Sequence, residues 1–239
     1  MKKILICATF VFFIISRVDA QRTIVDPNAT VRTVSSFSAI VVSHAIDLEL
    51  TQSGEEALAV SAAKEEYRDR IKTKVENGIL KIWYEDENRW WKNSGNKKLK
   101  AYVSFRNLNR LTASGASDVN VTGNIKSASF QMNLSGASDF RGSLQINSLH
   151  LDLSGASDAQ ITGTAKDVKI QASGASELKG FDLLVDNCNA EASGASDIRI
   201  TVNKELNARA SGASSIQYRG NGVIRDLKSG GASSVSRKG

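Results

Sequence analysis

Five carboxylates recur at near-constant spacing: Asp118, Asp139, Asp158, Glu177 and Asp197 lie 21, 19, 19 and 20 residues apart. If a repeat stacks them, they form a column of hard oxygen donors. The chemistry such a column could do is calcium binding, since that ion takes about six to eight oxygens. The competing reading is structural. An aspartate at a turn accepts backbone N–H bonds, and Arg141, Lys179 and Arg199 each follow a carboxylate by two residues. The structural reading carries more weight, because the known calcium-binding solenoid repeat is a shorter glycine–aspartate pattern that this sequence lacks. Calcium is kept as the one candidate cofactor for this acidic ladder.

Trp90 and Trp91, flanked by Arg89, Lys92 and Asn93, are the candidate ligand-binding residues. Exposed indoles stack on sugar rings or settle at a membrane interface, but they also fold back as a lid over a strand edge. Trp83 falls within a strand pattern and is assigned to the core. His44 and His150, the two histidines, are 106 residues apart with no cysteine partner, so no metal site is expected from them. Cys188 occupies an apolar column and is expected to be a small buried hydrophobe. No nucleophile elbow, HExxH, phosphate-binding loop or dinucleotide fingerprint occurs. A polysaccharide-cleaving site needs a carboxylate pair or a carboxylate–base group in a cleft. Here the carboxylates belong to the repeat, so the chain is expected not to be an enzyme. A polysaccharide-active β-helix enzyme is the competing class, and a glycan- or calcium-binding lectin-like module is the third.

The elements that position these residues follow from the pentapeptide that carries each carboxylate. Seven near-copies of Ser-Gly-Ala-Ser-Asp begin at Ser114, Ser135, Ser154, Ser173, Ser193, Ser211 and Gly230. A fixed period near 20 residues marks a stacked solenoid. Counting from the first Ser as 0, position −3 reads Leu111, Met132, Leu151, Ile170, Ala190, Ala208, Leu227, and position −1 is also small or apolar. Position −5 reads Asn109, Phe130, Leu149, Val168, Cys188, Leu206, Arg225; position +5 reads Val119, Phe140, Ala159, Leu178, Ile198, Ile216, Val235. The residues between are mostly polar. This period-2 alternation gives strands with one buried face on either side of the pentapeptide. The predicted fold is all-β: a right-handed parallel β-helix with about 19–20 residues per coil. Like positions would stack about 4.8 Å apart, giving a rod on the order of 35 Å long. The Gly-Ala-Ser centre suits a bend or close packing against an opposite wall, where only small side chains fit.

The pattern extends backwards. Ser43 to Thr51, SHAIDLELT, reads as a degenerate early coil, and Ser61 to Glu65 as a weaker one. Strands are predicted near Ile71 to Val75, Gly78 to Tyr84 and Leu99 to Phe105, with a polar insertion over 85–98. The predicted organisation is a signal peptide over 1–20, an extension over 21–36, a β-rich part with degenerate coils over 37–106 and the regular solenoid over 107–239. Lys2 and Lys3 before the apolar run Ile4 to Ile15, then Val18-Asp19-Ala20, are the features of a secretory signal. It is too short to span a bilayer, and no transmembrane segment follows. Beyond residue 20 there are 28 Lys and Arg against 24 Asp and Glu. The dispersed charge excludes a nucleic-acid footprint. One cysteine, Cys188, remains in that stretch, so no disulfide is expected within it.

The segments FSAIVVSHAIDLELTQ, VENGILKIWY and LKAYVSFRNLNRLTASGASDV, together with the SGASD repeats, resemble the bacterial putative autotransporter adhesin, head GIN domain family over roughly residues 37 to 235. The resemblance implies an exported β-helical surface domain with a hint of adhesion, and supplies no catalytic residues. The expected function is a secreted, non-catalytic structural or adhesive module of the periplasm, outer-membrane surface or extracellular space. Its expected partner is a cell-surface glycan or protein, with self-association through the solenoid ends. Ser215 and Ser234 in place of the acid, and the ending Ser236-Arg237-Lys238-Gly239, suggest a last coil made polar and basic to resist stacking.

Overall fold

The computed structural model describes residues 26–85 and 96–239. The expected signal peptide and Trp90 and Trp91 lie outside the described residues. The first strands are β1 (Thr30–Arg32), β2 (Ala39–Val42), β3 (Asp47–Gln52) and β4 (Ala57–Ser61). A four-residue helix, α1 (Glu65–Arg68), precedes β5 (Ile71–Glu76), β6 (Ile79–Tyr84), β7 (Lys100–Phe105) and β8 (Arg110–Ala113). Five long extended segments follow: β9 (Asp118–Leu134), β10 (Asp139–Leu153), β11 (Asp158–Ala172), β12 (Glu177–Ala192) and β13 (Asp197–Ala210). The chain closes with β14 (Ser215–Arg219), β15 (Val223–Ser229) and β16 (Ser234–Arg237).

Together these make an all-β solenoid of about seven stacked parallel coils. Each long segment is most of one turn. Leu151 of β10 pairs in register with Ile170 of β11, and Asp139 with Asp158. Within β11 the in–out alternation runs through Ala159 and Ile161, resets at Thr162-Gly163, and resets again at Lys166-Asp167 before Val168, Ile170 and Ala172. Those resets are where the extended chain bends round the core. The −1, −3 and +5 columns are buried from Leu111 to Ile216, as the alternation predicted. One hydrophobic cluster extends from Phe37 to Tyr218.

The pentapeptide forms the sharp corner. Gly155 has φ +76°, a conformation that L side chains rarely adopt, and the amide of Ala156 donates to Gly136 of the coil below at 2.7 Å. Gly155 and Ala156 face solvent rather than an opposite wall. What turns inward is the second serine. Ser117, Ser138, Ser157, Ser176, Ser196 and Ser214 are buried, so their hydroxyls need partners. The Oγ of Ser196 donates within reach of the Ser193 carbonyl (2.8 Å) and the Ala172 carbonyl of the coil below (3.1 Å). Ser214 repeats this with Ser211 and Ala192. At Ser157, Ser196, Ser214 and Ser233 the serine therefore clips its corner shut and ties it to the coil below.

The stacking order departs from the chain order at the N-terminal end. β2 pairs in parallel with both β6 and β8, and β3 with both β7 and β9. The coil of residues 39–52 is thus sandwiched between the coil built from β6 and β7 and the coil that opens with β8 and β9. Ser43 to Ile46 do form a degenerate corner, with His44 and Ala45 at φ 66° and 57°. Ser61 to Glu65 do not. β4 runs antiparallel to β7, so Ser61 ends a reversed strand and Glu65 starts α1. In the end coil Ile82 is in register with Val42 and Lys100 with Asp47. The expected insertion, of which 86–95 lie outside the described residues, therefore stands in the sequence of that coil where the others carry a pentapeptide.

At the C-terminal end one expected column shifts. The register of β15 slips between its partners Leu206 and Asn207. Ile224, not Arg225, stands over Leu206, and Arg225 bulges out to Glu205 at 2.8 Å. A bulge is the way a strand keeps its apolar residues on one face when the sequence is one residue out of phase. Arg237 does pair with Tyr218, but its guanidinium bonds the Gly220 carbonyl at 2.6 Å. Nor is the last coil uniformly polar, since Val223, Ile224 and Leu227 are exposed.

Candidate functional site

The acidic ladder exists as a ladder. The register links Lys100, Asp47, Asp118, Asp139, Asp158, Glu177, Asp197, Ser215 and Ser234 along one edge of the corner. Parallel stacking of identical repeats forces this contact. Cations from the neighbouring column offset the repulsion. Arg141 reaches Asp139 at 2.9 Å, Lys179 reaches Glu177 at 3.1 Å and Asp158 at 3.6 Å, and Arg199 contacts Glu177. The N-terminal part is less compensated. Burial, and then the charge of Asp139, push the Asp118 carboxyl above its usual range; burial and the charge of Asp118 do the same to Asp47. Among the described residues no group of three or more His, Cys, Asp or Glu side chains is placed to hold a metal ion. Around Asp139, Asp158 and Glu177 the ladder is a salt-linked edge.

A second feature lies at the N-terminal end of the rod. β6 alternates so that Leu80, Ile82 and Tyr84 are buried while Trp83 faces outward, half-buried. This corrects its assignment to the core: the polar Lys81 two residues earlier already marks that face as external. Trp83 lies opposite Lys72 of the antiparallel strand β5. The indole lines an open depression of about 380 Å³ with Arg32, Asp69, Lys72, Thr73, Lys74 and Glu85. Lys72 bridges to Glu85 at 3.4 Å, and Lys74 to Glu76 at 2.6 Å. Hydrogen bonds from Lys74 and Lys81 hold the Glu76 carboxyl down at about 2. The Nε of Arg32 is buried without a hydrogen-bond partner. An aromatic plate ringed by charged donors and acceptors is suited to a polar ring-shaped ligand. Arg32 could not be found from local sequence, since it lies some 50 residues before Trp83 and reaches the depression on β1.

A broader groove, about 750 Å³, runs beside the corner across the last coils, lined by Gln171, Glu191, Arg209 and Lys228 and by Ser173, Ser193 and Ser211. Its charges are tied to one another: Arg209 lies 3.6 Å from Glu191 and 2.8 Å from Asp226. The remaining candidates are scattered. His150 contacts Asp152 at 3.2 Å, and His44 contacts Ser43 at 2.7 Å. Cys188 is buried, and burial pushes its thiol up to about 12. The structure brings the acidic residues together, but gathers neither histidine nor cysteine with them.

Solved structures show the same fold. A putative adhesin from Bacteroides fragilis NCTC 9343 superposes with a TM-score of 0.82 at 20% identity, covering 88% of this chain and 96% of that one. A putative adhesin from Parabacteroides distasonis ATCC 8503 gives 0.70 at 17% identity, covering 88% and 96%. A protein from the same organism described as a putative lipid binding protein gives 0.66 at 21% identity, covering 90% and 98%. No curated protein matches. Residues 36–222 match the family described as putative auto-transporter adhesin, head GIN domain. The chain belongs to that family.

Proposed function

We propose that this protein is an exported, non-catalytic adhesive module whose rigid rod carries a glycan-binding end. The observation that carries the reading is the position of the Trp83 depression. It lies at the end of the rod, on the coil whose sequence carries 85–98 in place of a pentapeptide. Elsewhere successive coils repeat one another, and a repeating surface has no single privileged site. Trp90 and Trp91 are five and six residues beyond Glu85, a lining residue of the depression, and we assign them to the same binding end. Membership of an adhesin family supports the adhesive role. The basic, apolar and small-residue succession of residues 1–20 supports export. The competing enzyme reading has less support, because Asp139, Asp158 and Glu177 are salt-linked within the ladder.

The test is a glycan array probed with the purified protein, with and without calcium, alongside Trp83→Ala and Trp90→Ala/Trp91→Ala. Binding that persists in chelator and falls at least tenfold in Trp83→Ala is expected. Binding that needs calcium and survives both variants would move the site to the acidic ladder. Absence of any glycan binding by the parent protein would sink the proposal.

A further inference from the structure

The two ends of the rod are finished differently. At the N-terminal end antiparallel strands close the sheet: β1 lies on β4, and β5 on β6. They carry Arg32, Lys72 and Lys74, and charged side chains on an edge are how natural sheets resist pairing. At the other end, among the described residues, β15 pairs with β13 along one side only, and its second edge is open. Among the described residues five large apolar side chains are exposed, and three of them are on β15: Val223 (56%), Ile224 (37%) and Leu227 (45%). Ile224 and Leu227 stand directly over Leu206 and Ala208, both fully buried. They occupy core columns, with no coil above them among the described residues.

The bulge at Arg225 gives this edge an unusual symmetry. Ile224 and Leu227 both sit in inward columns, while Arg225 and Asp226 both turn outward, to Glu205 and Arg209. The order of sides is in, out, out, in, symmetric about the middle of Arg225-Asp226. A regular strand alternates, so a twofold placed between two of its residues would set an inward side chain against an outward one. Here that clash is absent. A second copy turned about this midpoint places its Leu227 opposite Ile224 and its Asp226 opposite Arg225. Apolar thus meets apolar and cation meets anion.

We infer that two copies of this protein pair head to head through β15, antiparallel, about a twofold axis between Arg225 and Asp226. Stacking head to tail on the same face would set Arg225 and Lys228 against Lys72 and Lys74 of β5, so the contact closes as a dimer and does not propagate as a fibre. The inference does not depend on the glycan reading, whose site is at the opposite end.

Sedimentation velocity on the purified protein across a concentration range provides the test. The parent protein is expected to dimerise, and Leu227→Lys to be monomeric with an unchanged melting temperature. Arg225→Asp and Asp226→Arg are each expected to weaken association about tenfold, a loss of roughly 1.4 kcal/mol. An equimolar mixture of those two should regain it, because each then faces its opposite charge. A folding defect cannot be rescued by mixing, so this arm reads the interface even if the last coil of a variant loosens. A parent protein that stays monomeric up to about 100 µM, open-ended fibres, or association that ignores both the lysine substitution and the mixing would each overturn the proposal.

Discussion

A β-carbon on Gly155 would lie 2.5 Å from the carbonyl oxygen of Gly136, the same oxygen that accepts the amide of Ala156 at 2.7 Å. The corner glycines stack so closely that only hydrogen fits between them. Two separate costs therefore meet at Gly155: a backbone at φ +76° and a clash with an atom that cannot move without breaking the ladder. Gly155→Ala is expected to destabilise the fold by about 3 kcal/mol or more. Gly123 has φ +80° but nothing within 4 Å of its would-be β-carbon, so Gly123→Ala is expected to cost only about 1 kcal/mol. Chemical denaturation of the pair separates the clash from the backbone conformation. Equal losses would argue against it.

Leu151 is fully buried between Met132 and Ile170 of the adjacent coils. Leu151→Ala should cost about 2–5 kcal/mol, as large-to-small changes in a packed core do. Leu151→Asp should prevent folding outright, because the carboxylate would have no partner there. A thermal melt that leaves either variant at parent stability contradicts the inward register.

The Asp118 carboxyl titrates above its usual range because burial, and next the charge of Asp139, disfavour its ionised form. The folded state therefore holds this proton more tightly than the unfolded chain. Stability is lost as pH rises from the unfolded value of about 3.9 through the folded one. Asp118→Asn removes that penalty. The variant should be more stable than the parent at pH 7, by up to about 1 kcal/mol, and the advantage should vanish below about pH 3.9. Urea melts at both pH values check the sign; an advantage that grows in acid reverses it.

Cys188 stands in the column of Val168 and Leu206, and its thiol is pushed up to about 12 by burial. The reactive species is the thiolate. A bulky thiol reagent at pH 8 should leave the native protein unlabelled and label it fully after denaturation. Fast labelling of the native state would place Cys188 outside the core.

Much of the rod is legible in the sequence because a solenoid repeats one local decision. Once Leu151 and Ala159 are known to face inward, the same offsets place Ile170 and Leu178. What could not be read depends on choices between distant segments. Nothing local tells residues 39–52 to lie between two later coils, or tells β4 to reverse beside β7 and cancel the corner expected at Ser61. The bulge at Arg225 was hidden for a related reason: counting back from the pentapeptide assumes an unbroken strand. At the candidate site Trp83 was readable from Lys81 and the alternation of β6. Its neighbour Arg32 was not, since only the antiparallel pairing of β1 with β4 brings it there.

The sandwiched coil has a consequence for how the chain reaches its final state. Residues 39–52 are synthesised before all the strands they pair with, so both edges of β2 and β3 wait for strands made later, up to β9. Assembly cannot simply proceed by adding each new turn to the last. It needs a nucleus spanning roughly residues 39 to 134, closed by contacts of high sequence separation, and such closure is slow. Beyond that nucleus each later turn needs only its predecessor, and elongation becomes local. Removing the segment before β4 would accordingly cut the template out of the middle of the stack, whereas removing the final turns would merely shorten it.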